Sequence, residues 1–131
     1  MTLNDTLPPI IIAETDFDYL VNLASARRGG PSEVLTFLAQ ELDRADVVPD
    51  CYLPLDAVRL GSRVAYRDLT AGNERTVMLV YPREEDIDLG RISVAAPVGA
   101  ALIGLREGQR IAWRSRAGSE RALEVLRVEP G

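Results

Sequence analysis

The stretch "RISVAAPVGAALIGLREGQRIAW", Arg91 to Trp113, is apolar, punctuated by glycine and broken once by proline. The order of its signals predicts a strand over Arg91 to Val94, a break at Pro97, a short helix of small residues over Val98 to Leu105, a turn at Gly108, and a second strand. The residues on either side extend the pattern. "AVRLGSRVAYRDL" alternates Val64 and Tyr66 against Arg63, Ala65 and Arg67, the period of a half-buried strand. "TAGN" supplies a turn, "ERTVMLVY" a more continuous apolar strand, and "PREEDIDLG" a polar connection into Arg91. After "RIAWRS" come a turn at "RAGS" and the strand "RALEVLRVE". The expectation is an α+β fold, in which about five mostly antiparallel strands curl over the one short helix between the third and fourth and cover its apolar face.

The front of the chain has another character. "ETDFDYLVNLASA" places Phe17, Leu20, Val21 and Ala24 on one helical face, and Thr15 with Asp18 three residues later resembles a capping box. "ARRGGPS" stops that helix. "SEVLTFLAQELDRA" then sets Val34, Leu35, Leu38, Leu42 and Ala45 on one stripe, which predicts a short antiparallel helical hairpin. "PPIII" before it reads as an extended segment packed against the second region. "VVPDCYLPLD", Val47 to Asp56, carries two prolines and reads as a linker. The division expected is 1–49 for the N-terminal segment and hairpin and 50–131 for the strand-rich domain.

Composition excludes much chemistry. The 131 residues, 47% hydrophobic and 27% charged, suit a globular domain, and no apolar run approaches the ~20 residues of a membrane span. The start "MTLNDTLPPIII" lacks the features of a signal peptide, and the lone Cys51 has no disulfide partner within the chain, so a cytoplasmic location is expected. There is no histidine, which removes Ser-His and Cys-His nucleophile pairs and a zinc site of His and Cys ligands. There is no lysine, hence no Schiff base and no GxxxxGK[ST] phosphate loop. All 15 basic residues are arginine, and the net charge of -5 opposes a sequence-independent grip on nucleic acid. A protein partner fits better than a nucleic acid or a membrane.

Few residues look like sites. The run Glu84, Glu85, Asp86, Asp88 lacks calcium-loop spacing. Counted from Asp86, glycine falls at position five and Pro97 at twelve, so it reads as solvated loop with no metal and no cofactor. Trp113 and Tyr66 read as core more readily than as a ligand pocket, and nothing near Cys51 marks a nucleophile. "AAPVG" is apolar for a loop, and an apolar loop fixed by a sheet suits either docking or core packing.

Taken together, "LGSRVAY", "ISVAAPVGAALIGLREGQRI" and "ALEVLRVE" resemble the C-terminal domain of the bacterial Gre transcript-cleavage factors over roughly residues 57 to 129. The front half, with "PPIII", "QELDRA" and "VYP", is closer to a sub-family, the regulators of nucleoside diphosphate kinase, whose hairpin is shortened. The resemblance implies a prolyl-isomerase-like (FKBP-like) domain that docks on RNA polymerase. Its docking loop falls on Ala95, Ala96, Pro97 and Val98, with alanines where the family has polar residues. At the hairpin tip, Arg27, Arg28, Gly29 and Glu33 stand where cleavage factors carry paired acids for a catalytic magnesium. The expectation is therefore a transcription regulator with no catalytic residues. The alternatives are a prolyl isomerase, by analogy of fold, and a binding module for an unrelated protein. The nucleoside diphosphate kinase reaction passes through a phosphohistidine, which this chain lacks.

Overall fold

The computed structural model describes residues 7–26, 33–114 and 119–130. In chain order these form β1 (Ile11–Ala13), α1 (Glu14–Ser25), α2 (Glu33–Arg44), β2 (Asp46–Val48), β3 (Arg63–Asp68), β4 (Asn73–Val80), β5 (Arg91–Ser93), α3 (Pro97–Leu102), β6 (Arg110–Arg114) and β7 (Glu120–Glu129). The architecture is α+β. A mixed five-stranded sheet runs in the order β5-β4-β3-β7-β6, antiparallel throughout except for the parallel pair β4/β5. β1 and β2 form a second, parallel pair, with α1 and α2 as the crossover between them.

Alternation along the strands decides which face of the sheet is dry. Val64 and Tyr66 on β3, Val77 and Leu79 on β4, Ile111 on β6, and Leu123 and Val125 on β7 are all buried. Arg63 and Arg67 point the other way. On that wet face Arg67 bonds the cross-strand Glu74 at 2.7 Å, and Arg110 lies 3.5 Å from Glu124, so opposite charges face each other across the strands. Helix α3 covers the dry face with Ala100, Ala101 and Leu102, none more than 1% exposed. It opens on Pro97, whose missing N–H costs nothing in the first turn of a helix.

The helix stops three residues short of its expected end at Leu105. Gly104 adopts a left-handed conformation (φ +82°), open to glycine at little cost, and turns the chain back. The turn makes a seam. The Gly104 N–H donates to the Val58 carbonyl (2.9 Å), its carbonyl accepts from Ile11 N–H (3.0 Å), and Val58 N–H donates to the Leu105 carbonyl (2.8 Å). A Cβ on Gly104 would lie 2.9 Å from the Ile10 Cβ. The "PPIII" segment thus packs where the sequence places it, with Ile10 and Ile12 buried in the common core.

Three local expectations need correction. The Val47 to Asp56 stretch is not wholly linker, because Val47 and Val48 pair with Ile12 and Ala13 before Pro49 ends β2 and a 3-10 turn follows at Asp50–Tyr52. On α1, Leu20 and Ala24 are buried and Phe17 packs half-buried against the core, but Asp16 is buried with them and Val21 is 38% exposed, so the expected apolar face is turned toward Asp16 and loses Val21. The capping box at Thr15 and Asp18 is absent too. Helix α1 begins at Glu14 after Ala13, which makes no side-chain cap, and Thr15 already lies in its first turn. Helix α2 keeps its stripe, burying Leu38 and Leu42 together with Glu41.

Because Leu102 is fully buried under the sheet, Leu102→Ala is expected to cost about 2–5 kcal/mol, read from the midpoint shift in a urea titration. A loss below about 1 kcal/mol would mean that this side chain does not fill the core.

Candidate docking surface

The loop from β5 into α3 is built on Ser93. Val94 N–H pairs with the Val80 carbonyl at 3.0 Å, which continues the β4/β5 ladder and buries Val94. Ser93, 4% exposed, uses both of its oxygens on the residues that follow. Its hydroxyl accepts from Ala95 N–H (2.9 Å) and its carbonyl accepts from Ala96 N–H (3.0 Å). The Ala96 carbonyl then accepts from Ala100 N–H at 2.9 Å and starts the helix. The polar anchoring that alanine at 95 and 96 cannot provide therefore comes from the serine before them, a common local use of a hydroxyl. Of the four residues expected to dock a partner, Ala95, Ala96 and Val98 are half-buried and Pro97 is exposed at the head of the helix.

Close packing holds this loop from behind. A Cβ on Gly99 would lie 2.0 Å from the Ser93 carbonyl oxygen and 3.0 Å from the Val94 Cα, so the first turn of α3 rests directly on the β5 backbone. In front, Ser93 N–H donates to the Glu85 carboxylate at 3.1 Å. The acidic run is thus not simply solvated. Asp86 and Arg91 exchange both backbone hydrogen bonds, at 3.0 and 2.9 Å, and Glu85 takes the next outward N–H along the edge strand. Tyr66 is buried and Trp113 packs half-buried against the core, as core residues do, and Cys51 is exposed and unpaired.

The helical pair is fixed to the same body by charge. Asp16, 3% exposed, accepts from Leu60 N–H at 3.2 Å and from the Arg59 guanidinium at 3.4 Å. Arg59 also lies 3.5 Å from Asp50, and Asp50 accepts the first-turn N–H of Thr15 at 3.1 Å. A carboxylate from another element thus does what the missing capping box would have done. Burial pushes the Asp16 carboxyl above its usual range, with Arg59 and the Leu60 N–H pulling the other way. Hydrogen bonds from Thr15 hold Asp50 below its usual range. Farther along, the buried Glu41 takes a two-pronged bond from Arg44 (2.7 and 2.8 Å), and Arg44 also donates to the Pro8 carbonyl.

Of the expected tip residues, Arg27, Arg28 and Gly29 lie outside the described residues, and Glu33 is the exposed first residue of α2. Helices α1 and α2 pack on one another.

Comparison with known proteins meets this geometry at both ends of the chain. Residues 53–130 match the family model described as transcription elongation factor, GreA/GreB, C-term, and residues 8–48 match that of the Rnk N-terminus. The regulator of nucleoside diphosphate kinase of Escherichia coli K12 is 38% identical over 122 residues, 93% of this chain and 90% of its own. The chain belongs to the family of that regulator. The transcription elongation factor GreA of Hyphomonas neptunium is 38% identical over 91 residues, with this chain spanning 57% of its length. A solved transcription elongation factor GreA/GreB from Nitrosomonas europaea is 32% identical, with a TM-score of 0.71, covering 93% of this chain and 98% of that one.

Set against these matches, the loop from Ala95 to Val98 lies inside the GreA/GreB C-terminal match. The Asp16–Arg59 pair ties the regulator-type N-terminus to it. Sequence reasoning missed Asp16, Glu41, Ser93 and Glu85. Two of these are carboxylates on otherwise apolar helix faces, and their partners, apart from Arg44, lie far away in the chain. Ser93 had a local signal, a serine two residues before an amide that needed an acceptor.

Asp16→Ala is expected to cost about 1–3 kcal/mol, because it leaves Leu60 N–H without its acceptor. Asp16→Asn keeps an oxygen there and should cost less. The raised carboxyl makes the folded chain bind its proton more tightly than the unfolded chain does, so this group's contribution to stability falls as pH rises through the interval above its usual value. The Asn variant should therefore gain on the parent as pH rises from below the carboxyl's usual value to above it. Urea titrations across that range check both points. Equal losses for Ala and Asn, or a gap that moves the other way with pH, would contradict the account.

Proposed function

We propose that this chain is a non-enzymatic bacterial transcription regulator that binds RNA polymerase through its GreA/GreB-type domain and does not stimulate transcript cleavage. The observation that carries the reading is the loop at Ala95–Val98, held by Ser93 at the head of α3, within the region that matches the GreA/GreB C-terminal family. Relatives that it matches are transcription elongation factors by name, and the likeness to the solved GreA/GreB structure extends along nearly the whole chain. In this reading the sheet wrapped over α3 is FKBP-like, and residues 50–131 act as the docking domain. Residues 1–49 form a short hairpin that the Asp16–Arg59 pair orients, and the protein works in the cytoplasm.

The absence of cleavage stimulation follows from reach and charge. A helix of 12 residues, the length of α1 and of α2, rises about 18 Å. Between residues 27 and 33 the chain offers two arginines and one carboxylate, Glu33, where sharing a divalent cation with a polymerase needs a cluster of acids. The arginines would repel that cation.

Replacing Ala96 and Val98 together by aspartate is expected to lower polymerase affinity about tenfold or more while the domain stays folded. Unchanged affinity in the folded double variant would remove the docking assignment. In halted, backtracked complexes with labelled transcript, saturating protein should produce no RNA shortening above the intrinsic rate. Converting Arg27 and Arg28 to acids should not create it, because reach is still lacking. Accelerated shortening by the unmodified protein would overturn the non-catalytic reading.

A further inference from the structure

The acidic connection between β4 and β5 has a part in docking that its composition conceals. β5 is an edge strand paired with β4 on one side only, so its outward amides need partners from elsewhere. Arg91 N–H finds the Asp86 carbonyl (2.9 Å), and Ser93 N–H finds the Glu85 carboxylate (3.1 Å). Ser93 is also the residue on which the docking loop hangs. Its hydroxyl holds Ala95 N–H, its carbonyl holds Ala96 N–H, and Gly99 packs on that same carbonyl. Glu85, Ser93 and Ala95 thus form one chain of hydrogen bonds from an exposed carboxylate to the loop.

We infer that Glu85 is a positioning residue for partner binding. It does not touch the partner. It fixes the orientation of Ser93 and so holds Ala95–Val98 in the conformation that docks, which spares the loop an ordering cost on association. A carboxylate suits the task because a charged acceptor bonds an amide more strongly than a neutral one. The inference rests on the proposed polymerase docking, and it makes the acidic run a working part of that surface where the sequence alone suggests a solvated loop.

The experiment is an equilibrium titration of purified RNA polymerase with the full chain and with Glu85→Ala, Glu85→Gln, Ser93→Ala and the Ala96→Asp/Val98→Asp double variant. Thermal melts of each variant are measured alongside. Glu85→Ala should weaken binding roughly three- to tenfold, the worth of one hydrogen bond. Glu85→Gln, which keeps a neutral acceptor for Ser93 N–H, should recover most of that affinity. Ser93→Ala should lose affinity like Glu85→Ala. Adding it to Glu85→Ala should lose less than the sum of the two, since both break the same chain. Wild-type affinity for folded Glu85→Ala, or a Gln variant as weak as the Ala variant, would overturn the inference. If Glu85→Ala does not fold, Ser93→Ala decides the matter, and wild-type affinity there is equally fatal. The double variant separates the two layers. If it binds normally, the docking assignment falls. If it binds weakly while Glu85→Ala and Ser93→Ala bind normally, only the role of Glu85 falls.

Discussion

Helix α3 can occupy its place only because Gly99 has no side chain. With 2.0 Å between a hypothetical Cβ and the Ser93 carbonyl oxygen, any other residue would push the helix off β5. Much of the domain is organised by that contact. It sets the depth at which Ala100, Ala101 and Leu102 enter the sheet, and so the shape of the core. It fixes the turn between strand and helix, and so the exposure of Pro97. At the far end of α3 the second glycine, Gly104, converts the end of the helix into the seam that receives Ile10 to Ile12. Two missing side chains, five residues apart, join the N-terminal segment, the helix and the sheet.

Around that centre the polar groups are spent on orientation. Asp16 and Asp50 converge on Arg59, and between them they satisfy Leu60 N–H and Thr15 N–H, so helix α1 is held at an angle set by the loop before β3. Glu41 and Arg44 reach Pro8 and hold the entry to β1 against α2. A buried carboxylate adds little net stability, but it tolerates few alternative placements, because any other position leaves charge or amide unpaired. One device fixes α1 to the loop before β3, and the other fixes α2 to the segment that enters β1.

The pattern read between Arg91 and Trp113 was close to the fold because each signal in it is local. An apolar strand, a proline at the first turn of a helix, a run of small residues and a turn glycine all act within a few residues of themselves. The strand alternation at Val64 and Tyr66 was readable for the same reason. What the sequence concealed depends on long separations. Asp16 looks like a surface residue until Leu60, 44 positions later, delivers its N–H. Thr15 looks like a cap until Asp50 takes its amide. Val47 and Val48 look like linker until Ile12 and Ala13 come alongside. The loop proposed for docking lay between the two cases. Its position came from a motif, whereas its rigidity comes from Ser93 and Glu85, one of which is adjacent and the other brought back by a turn.

The central claim is that the segment from Ser93 into α3 is the face that meets RNA polymerase. Hydrogen–deuterium exchange of the full chain, alone and saturated with polymerase, tests it without any substitution. Peptides spanning residues 93–101 are expected to exchange more slowly on binding, with the wet face of β3, β7 and β6 unchanged. Protection confined to that face or to the helical pair, with residues 93–101 exchanging as in the free protein, would contradict it.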